Sequence, residues 1–446
     1  MDPGRRCQLT ENFEFGFGQL RDKAHLFNGL VGGETQVESA TEVGYHTRAG
    51  VQHVFRQLDT VTSGWKNGRD GKVNVRRKSI LVLAAAVAAI SISLMGQQRP
   101  FSVAQKIGPN DYDVAPNWAL PYPKDGYAWG SVPGVFLESD DRIFVASRGE
   151  IKLPIPLPVG YLGFFGSIRS ALNAPENEVR GCLRVLDSNG KVLETWSQWD
   201  KLFEGTNGPH KIRISPYDPQ RRVWVVGETK NVVYIFSNDG KQLLQTLGEE
   251  GVAADDERHF GRPQDVDFLP DGSVLVADGL TNSRVVKLDR NGRFVAAWGS
   301  RGSADGQFNA VHGLAVDRNQ HVYVADRSNA RVQVFDANGK HLATWPNIRF
   351  PNHVFVSDAA QDVWVADNMT AEIVKFDVNG NRLFSWDASG TAPGGFGELH
   401  QFAVDSKGNV YTADNVLGRL QKLAPKPGAD PKHLIGQSVK LASKAR

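Results

Sequence analysis

Three imidazoles in one register are where this chain concentrates its possible chemistry. Six short runs, RIFVAS, RVWVVG, SVLVAD, HVYVAD, DVWVAD and NVYTAD, recur along residues 142–414. Ten residues before the first valine or isoleucine of the first, third, fourth, fifth and sixth runs stand Pro133, Gln264, His312, His353 and His400. The second run follows a longer turn, SPYDPQRR, and the matching residue there is His210 of GPHK. His210, His312 and His400 thus belong to copies two, four and six. If the copies surround an axis, these three lie about 120° apart and meet on it. Three histidines with a position left open for water or substrate are the donor set of a catalytic zinc, so zinc is the expected ion. His353 shares the register in copy five, where it is a fourth ligand, a proton shuttle or a wall of the channel. His259, His321 and His341 fall in loop or hairpin positions and read as ordinary rim histidines.

The elements that must carry these residues are short strands. Asn-Gly or Asp-Gly pairs mark hairpins in VLDSNGKVL, IFSNDGKQL, KLDRNGRFV, VFDANGKHL and KFDVNGNRL, with glycines at 190, 240, 292, 339 and 380, 41 to 52 residues apart. That period fits a four-stranded unit, and six such units close into a β-propeller. The expected fold is therefore all-β, a six-bladed propeller over residues 105–424. The sixth copy runs out after its third strand, at Pro425 and Pro427. The N-terminal stretch YDVAPNWALPYP is expected to supply the missing strand, since Trp118 resembles Trp196, Trp298, Trp345 and Trp386, each ending an outer strand. This exchange would also hide an open sheet edge. The aspartates of the VAD runs, Asp278, Asp326, Asp367 and Asp414, recur with Asn282, Arg284, Asn329, Arg331 and Arg419; recurrence argues for structural hydrogen bonds. A segment of about thirty residues, GEIKLPIPLPVGYLGFFGSIRSALNAPENEVR, interrupts copy one. It either covers one end of the channel or packs on a neighbouring blade.

Composition narrows the partners. A formal charge of +2, without a long basic run interleaved with aromatics, argues against nucleic acid. The two cysteines, Cys7 and Cys182, lie in unlike segments and do not form a disulfide framework. Arg76, Arg77 and Lys78 precede an apolar run, Ile80 to Gly96, so residues 73–98 read as an export signal or, uncleaved, as a membrane anchor at 80–96. Residues 1–72 show no sustained period and either precede the biological start or form a tail; residues 425–446 read as a basic C-terminal tail. The expected protein is an exported monomer, periplasmic or extracellular, taking a small molecule or peptide in its central channel.

The runs VADGLTNSRVVKLDRNGRFVAAWG and VADRSNARVQVFDANGKHLATW resemble NHL repeats. Residues from about 115 to 424 resemble the peptidyl-α-hydroxyglycine α-amidating lyase family, whose members are six-bladed propellers with a central zinc on three histidines. That resemblance assigns zinc to His210, His312 and His400, and substrate binding to Arg148 of ASRGEI. It implies cleavage of a peptidyl-α-hydroxyglycine to a peptide amide and glyoxylate. The chain departs from the family at three points. DGLTNSR places Leu280 where the family has a catalytic tyrosine, Gln401 replaces an acidic residue associated with calcium, and the disulfides of animal members are absent. Two readings remain open. One is a zinc lyase acting on a related or different substrate, with His353, Tyr127, Tyr161 or metal hydroxide as base. The other is a non-catalytic NHL propeller that binds a peptide, glycan or protein.

Overall fold

In the computed structural model the described residues are 126–157 and 178–444, together with 106–107, 111–116, 118–119, 159, 161, 163–164 and 166. The segments 1–72 and 73–98, with the candidate signal or anchor, lie outside them. Among the described residues no helix is long and apolar enough to cross a membrane.

Four-stranded antiparallel units form the molecule. Blade one is Gly134–Ser139, Arg142–Ala146, Leu183–Leu186 and Val192–Thr195. Blade two is Ile212–Ile214, Val223–Gly227, Val232–Phe236 and Leu243–Leu247. Blade three is Pro263–Phe268, Val274–Asp278, Arg284–Leu288 and Phe294–Trp298. Blade four is Val311–Val316, Val322–Asp326, Arg331–Phe335 and His341–Pro346. Blade five is Pro351–Val356, Val363–Asp367, Glu372–Phe376 and Arg382–Asp387. Blade six has three strands of its own, Leu399–Val404, Val410–Asp414 and Arg419–Pro425.

Burial follows position in the blade. Second strands such as Val274–Asp278 and Val322–Asp326 are buried at every residue, because neighbouring blades cover both faces. Outer strands alternate instead, and Phe294–Trp298 leaves every second side chain exposed. The apolar clusters accordingly lie between blades: Phe144, Val185 and Trp196 of blade one pack with Val223 and Tyr234 of blade two.

The sixth blade is completed as the sequence predicts. Tyr112–Val114 pairs antiparallel with Arg419–Pro425, Asp113 opposite Ala424. Lys106–Ile107 adds a short parallel strand outside blade five. Trp118 then does what the other terminal tryptophans do. A Cβ on Gly240 would lie 2.1 Å from the Trp196 ring of the preceding blade, and Gly339 and Gly380 meet Trp298 and Trp345 in the same way. These glycines also have positive φ, closing a turn in which an aspartate such as Asp289 accepts from the N–H groups of Asn291 and Arg293. Over Gly190 the same close approach comes from Ala119 and Trp118. The recurring aspartates are structural, as expected: Asp278 accepts from Gly261 N, Asn282 Nδ2 and Arg284 Nε.

The blade-one insertion packs on a neighbouring blade. Glu150–Lys152 pairs with Tyr127–Trp129, and further on Gly166 N donates to Leu417 O of blade six while Arg419 lies 4.4 Å over the Phe164 ring. The tail is more than a charged extension. Gly436 N donates to Ser357 Oγ, Asp358 N to Gln437 O, Ala442 N to Pro216 O, and Lys444 Nζ to Asn238 Oδ1. It therefore crosses from blade five to blade two over the C-terminal ends of the innermost strands. Beneath it lies a cavity of about 80 Å3 lined by residues of all six blades, including Phe136, Ile214, Phe268 and Val404, and by Val439 and Leu441 of the tail.

Candidate metal centre

A backbone irregularity places the register residues. In blade four Val311 pairs with Asp326 and Gly313 with Ala325, so His312 is the extra residue of a β-bulge. The same skip falls at Gln264, Asn352 and His400. In blade five the counterpart of His312 is therefore Asn352 and not His353, which pairs regularly with Ala366, because the hairpin between Val356 and Val363 is one residue longer than that between Val316 and Val322. A bulge turns its extra side chain out of the pleat, and here it turns it toward the axis. His210 arrives differently, from the loop before its strand. Gly208 has φ +81°, and a Cβ there would lie 2.8 Å from Arg148 Cα, so only glycine lets the loop pass beneath Arg148.

The structure brings His210, His312 and His400 together. Their ring centroids are 4.5, 4.9 and 5.2 Å apart, and one ligand nitrogen from each lies within 4.8 Å of the others. All three are buried. Each Nδ1–H donates to a backbone carbonyl of the following blade: His210 to Gln264 O at 2.7 Å, His312 to Asn352 O at 2.8 Å, and His400 to Pro133 O at 2.8 Å. This fixes the tautomer and leaves each Nε2 with its lone pair available, the usual outer partner of a metal-ligating histidine. Burial lowers all three: His210 to about 4 and the other two well below the ordinary imidazole value. Neutral, oriented and convergent nitrogens fit a tetrahedral zinc with one open position.

His353 is not part of this cluster. It is fully buried, its ring packs edge-on against Phe402 with centroids 5.0 Å apart, and among the described residues neither nitrogen reaches a hydrogen bond of good geometry. Tyr127 lies under Arg180, 4.3 Å from its guanidinium carbon, and Tyr161 packs against Ala128, Ile151 and Leu153. Leu280 sits in a turn whose Gly279 and Leu280 N–H groups both point to Arg262 O.

Arg148 lies beside the imidazoles with partners that the sequence reading did not anticipate. Its Nη2 is 3.6 Å from Glu228 Oε2, which is also 3.8 Å from His210 Nε2. The other oxygen of Glu228 is gripped by Arg262 Nη2. Burial alone would raise the Glu228 carboxyl, but His210, Arg262 and Arg148 outweigh it and hold it below the ordinary value. Arg327, stacked 4.7 Å over the Phe350 ring, adds a further positive charge near His312. The signal for these residues was in the repeat. The residue immediately after each second-strand run is Arg148, Glu228, Gly279, Arg327, Asn368 or Asn415.

Residues 308–335 match the NHL repeat family. Peptidylglycine alpha-amidating monooxygenase of Rattus norvegicus is 35% identical over 219 residues, 47% of this chain and 21% of that protein. A probable peptidyl-alpha-hydroxyglycine alpha-amidating lyase of Caenorhabditis elegans is 32% identical over 157 residues, 33% of this chain and 44% of that protein. NHL repeat-containing protein 3 of Mus musculus is 29% identical over 174 residues, 36% of this chain and 48% of that protein. The chain thus spans less than half the length of each.

Proposed function

Starting from a six-bladed NHL-repeat propeller related in sequence to the amidating lyases, we propose that this chain is an exported, metal-dependent lyase that cleaves the C–N bond of an α-hydroxyglycine or a closely similar carbinolamide. The observation that carries the reading is the convergence of three oriented neutral imidazoles beside an arginine and an ionised carboxylate.

Zinc held by His210, His312 and His400 would supply Lewis acidity at the substrate oxygens. The protein's own residues do the rest. Arg148 is placed to receive the substrate carboxylate, for which a guanidinium offers paired donors. Glu228 Oε2 faces the same space, with its carboxylate fixed by Arg262, and takes the α-hydroxyl proton. As that O–H bond breaks, the C=O of the aldehyde forms and the C–N pair moves to nitrogen, which accepts the proton from Glu228. The products are an amide and glyoxylate, with atoms and charge balanced. Leu280 offers no phenol at its position, and the carboxylate of Glu228, 3.8 Å from His210 Nε2, takes the acid–base role.

The test is glyoxylate release from an N-protected peptidyl-α-hydroxyglycine, with metal analysis of the same preparations. Wild-type protein is expected to carry zinc and release glyoxylate. Glu228→Gln is expected to keep the zinc and lose on the order of 10²- to 10⁴-fold in rate. The missing phenol favours the second reading, a binding propeller for a peptide, glycan or protein. A zinc-loaded wild type that cleaves neither the α-hydroxyglycine peptide nor related carbinolamides would favour it instead.

A further inference from the structure

Lys211 follows His210 and points inward, below the three imidazoles. Its side chain is 0% exposed, as is that of Asp265. An ammonium has three protons to donate, and each finds an acceptor on a different blade: Asp265 Oδ2 at 3.1 Å in blade three, His312 O at 3.1 Å in blade four, and Asn352 O at 2.8 Å in blade five. Asn352 O is also the acceptor of His312 Nδ1–H. One carbonyl oxygen therefore holds the lysine and the imidazole together, while the lysine also holds the backbone of His312. Asp265 cannot drift, because Arg213 grips both its oxygens at 3.1 and 2.8 Å and Val266 N donates to it at 2.9 Å.

A buried cation below a dication site would ordinarily oppose metal binding. Here the carboxylate of Asp265 offsets the charge, and the geometry is directed at the two carbonyls that set the position of His312. We propose that Lys211 is a positioning residue of the metal centre: its ammonium fixes the Asn352 carbonyl and the His312 backbone so that His312 presents Nε2 to the axis. This rests on the reading of the three histidines as a metal centre. Outer partners of metal-ligating histidines characteristically control affinity by about 10- to 100-fold.

Arg213 provides the control. It belongs to the same buried network and is equally structural, yet it touches neither carbonyl that fixes His312. The experiment compares Co2+ affinity, by chelator competition, and the Co2+ visible absorption spectrum in full-length wild type, Lys211→Met and Arg213→Met, together with their melting temperatures. Both variants should melt lower. Lys211→Met should lose affinity by about 10- to 100-fold and change the cobalt spectrum. Arg213→Met, which loosens Asp265 but leaves Lys211 its two carbonyl acceptors, should lose clearly less; an equal loss in both overturns the specific role of Lys211. Lys211→Gln, which retains an amide donor, should fall between wild type and Lys211→Met, and it carries the same test if Lys211→Met does not fold. Cobalt bound as tightly and with the same spectrum in folded Lys211 variants overturns the role. A wild type that binds no cobalt overturns the metal centre, and this role with it.

Discussion

Asp267 shows how single side chains below the imidazoles are held against their preference. Its carboxyl lies in the wall of the cavity under the tail, accepting from Phe268 N and Val316 N at 2.9 Å each. Burial pushes it up to about 6, Arg213 pulls it back, and Asp265 pushes it further. A carboxyl raised in the folded state binds its proton more tightly there than in the unfolded chain. Its contribution to stability is therefore complete below the unfolded value near 4 and is lost as pH rises through about 6. Asp267→Asn should flatten that part of the stability curve, raising the melting temperature at pH 7 relative to wild type more than at pH 4.5. Thermal melts at both values check it. Residues of this layer were the least legible in the sequence. Lys211 beside a histidine reads as solvated, because its three acceptors come from blades far along the chain. Glu228 replaces the VAD pattern of its blade with VVGE, so its place in the ring appears only when the runs are aligned on their last residue. His312 and His400 were readable because a fixed count back from their runs finds the bulge, whereas in blade five a longer hairpin carries the count one residue past the bulge, to His353 instead of Asn352.

Individual strands were legible where turn chemistry punctuates them. The Asp-x-Asn-Gly hairpins and the valine-rich second strands fall where the repeat places them, since glycine at positive φ and continuous burial leave marks in composition. Trp118 was legible for a related reason: the outer strand of each blade ends by pressing an aromatic or apolar residue on the next hairpin. It lies in the closing segment, packs edge-on against Tyr411 at 5.0 Å, and donates from Nε1 to Ser188 O at 3.0 Å. Trp118→Ala should cost about 3–5 kcal/mol. Equilibrium denaturation would measure that loss, whereas a merely decorative N-terminal segment would leave the midpoint unchanged. The packing of the tail left little mark in its sequence. Lys426, Lys432, Lys440, Lys444 and Arg446 make it read as basic, while Ile435 and Leu441, the residues that pack, are too widely and irregularly spaced to suggest a strand or helix.

At the scale of the molecule the tail covers the C-terminal ends of the innermost strands while His312 and His400 sit at their starts, so the two ends should be separable. A chain ending at Gly428 removes Ile435, Val439 and Leu441 from the far end and opens the cavity they cover. It should bind anilinonaphthalene sulfonate, melt lower by on the order of 5 °C, and keep its metal stoichiometry. A loss of metal in that variant would mean that the two ends are coupled. The ring itself has a seam, where Tyr112–Val114 lies against the third strand of the last blade and Ile435 N donates to Tyr112 OH across 323 residues of sequence. During synthesis the early strand must wait, unpaired, until nearly the whole polypeptide has left the ribosome. Blades one to five can form their hairpins as they emerge, but the toroid locks only at the end. A nascent chain stalled within blade six would therefore present a ready template for pairing with another copy, and its cell would need a chaperone to cover it.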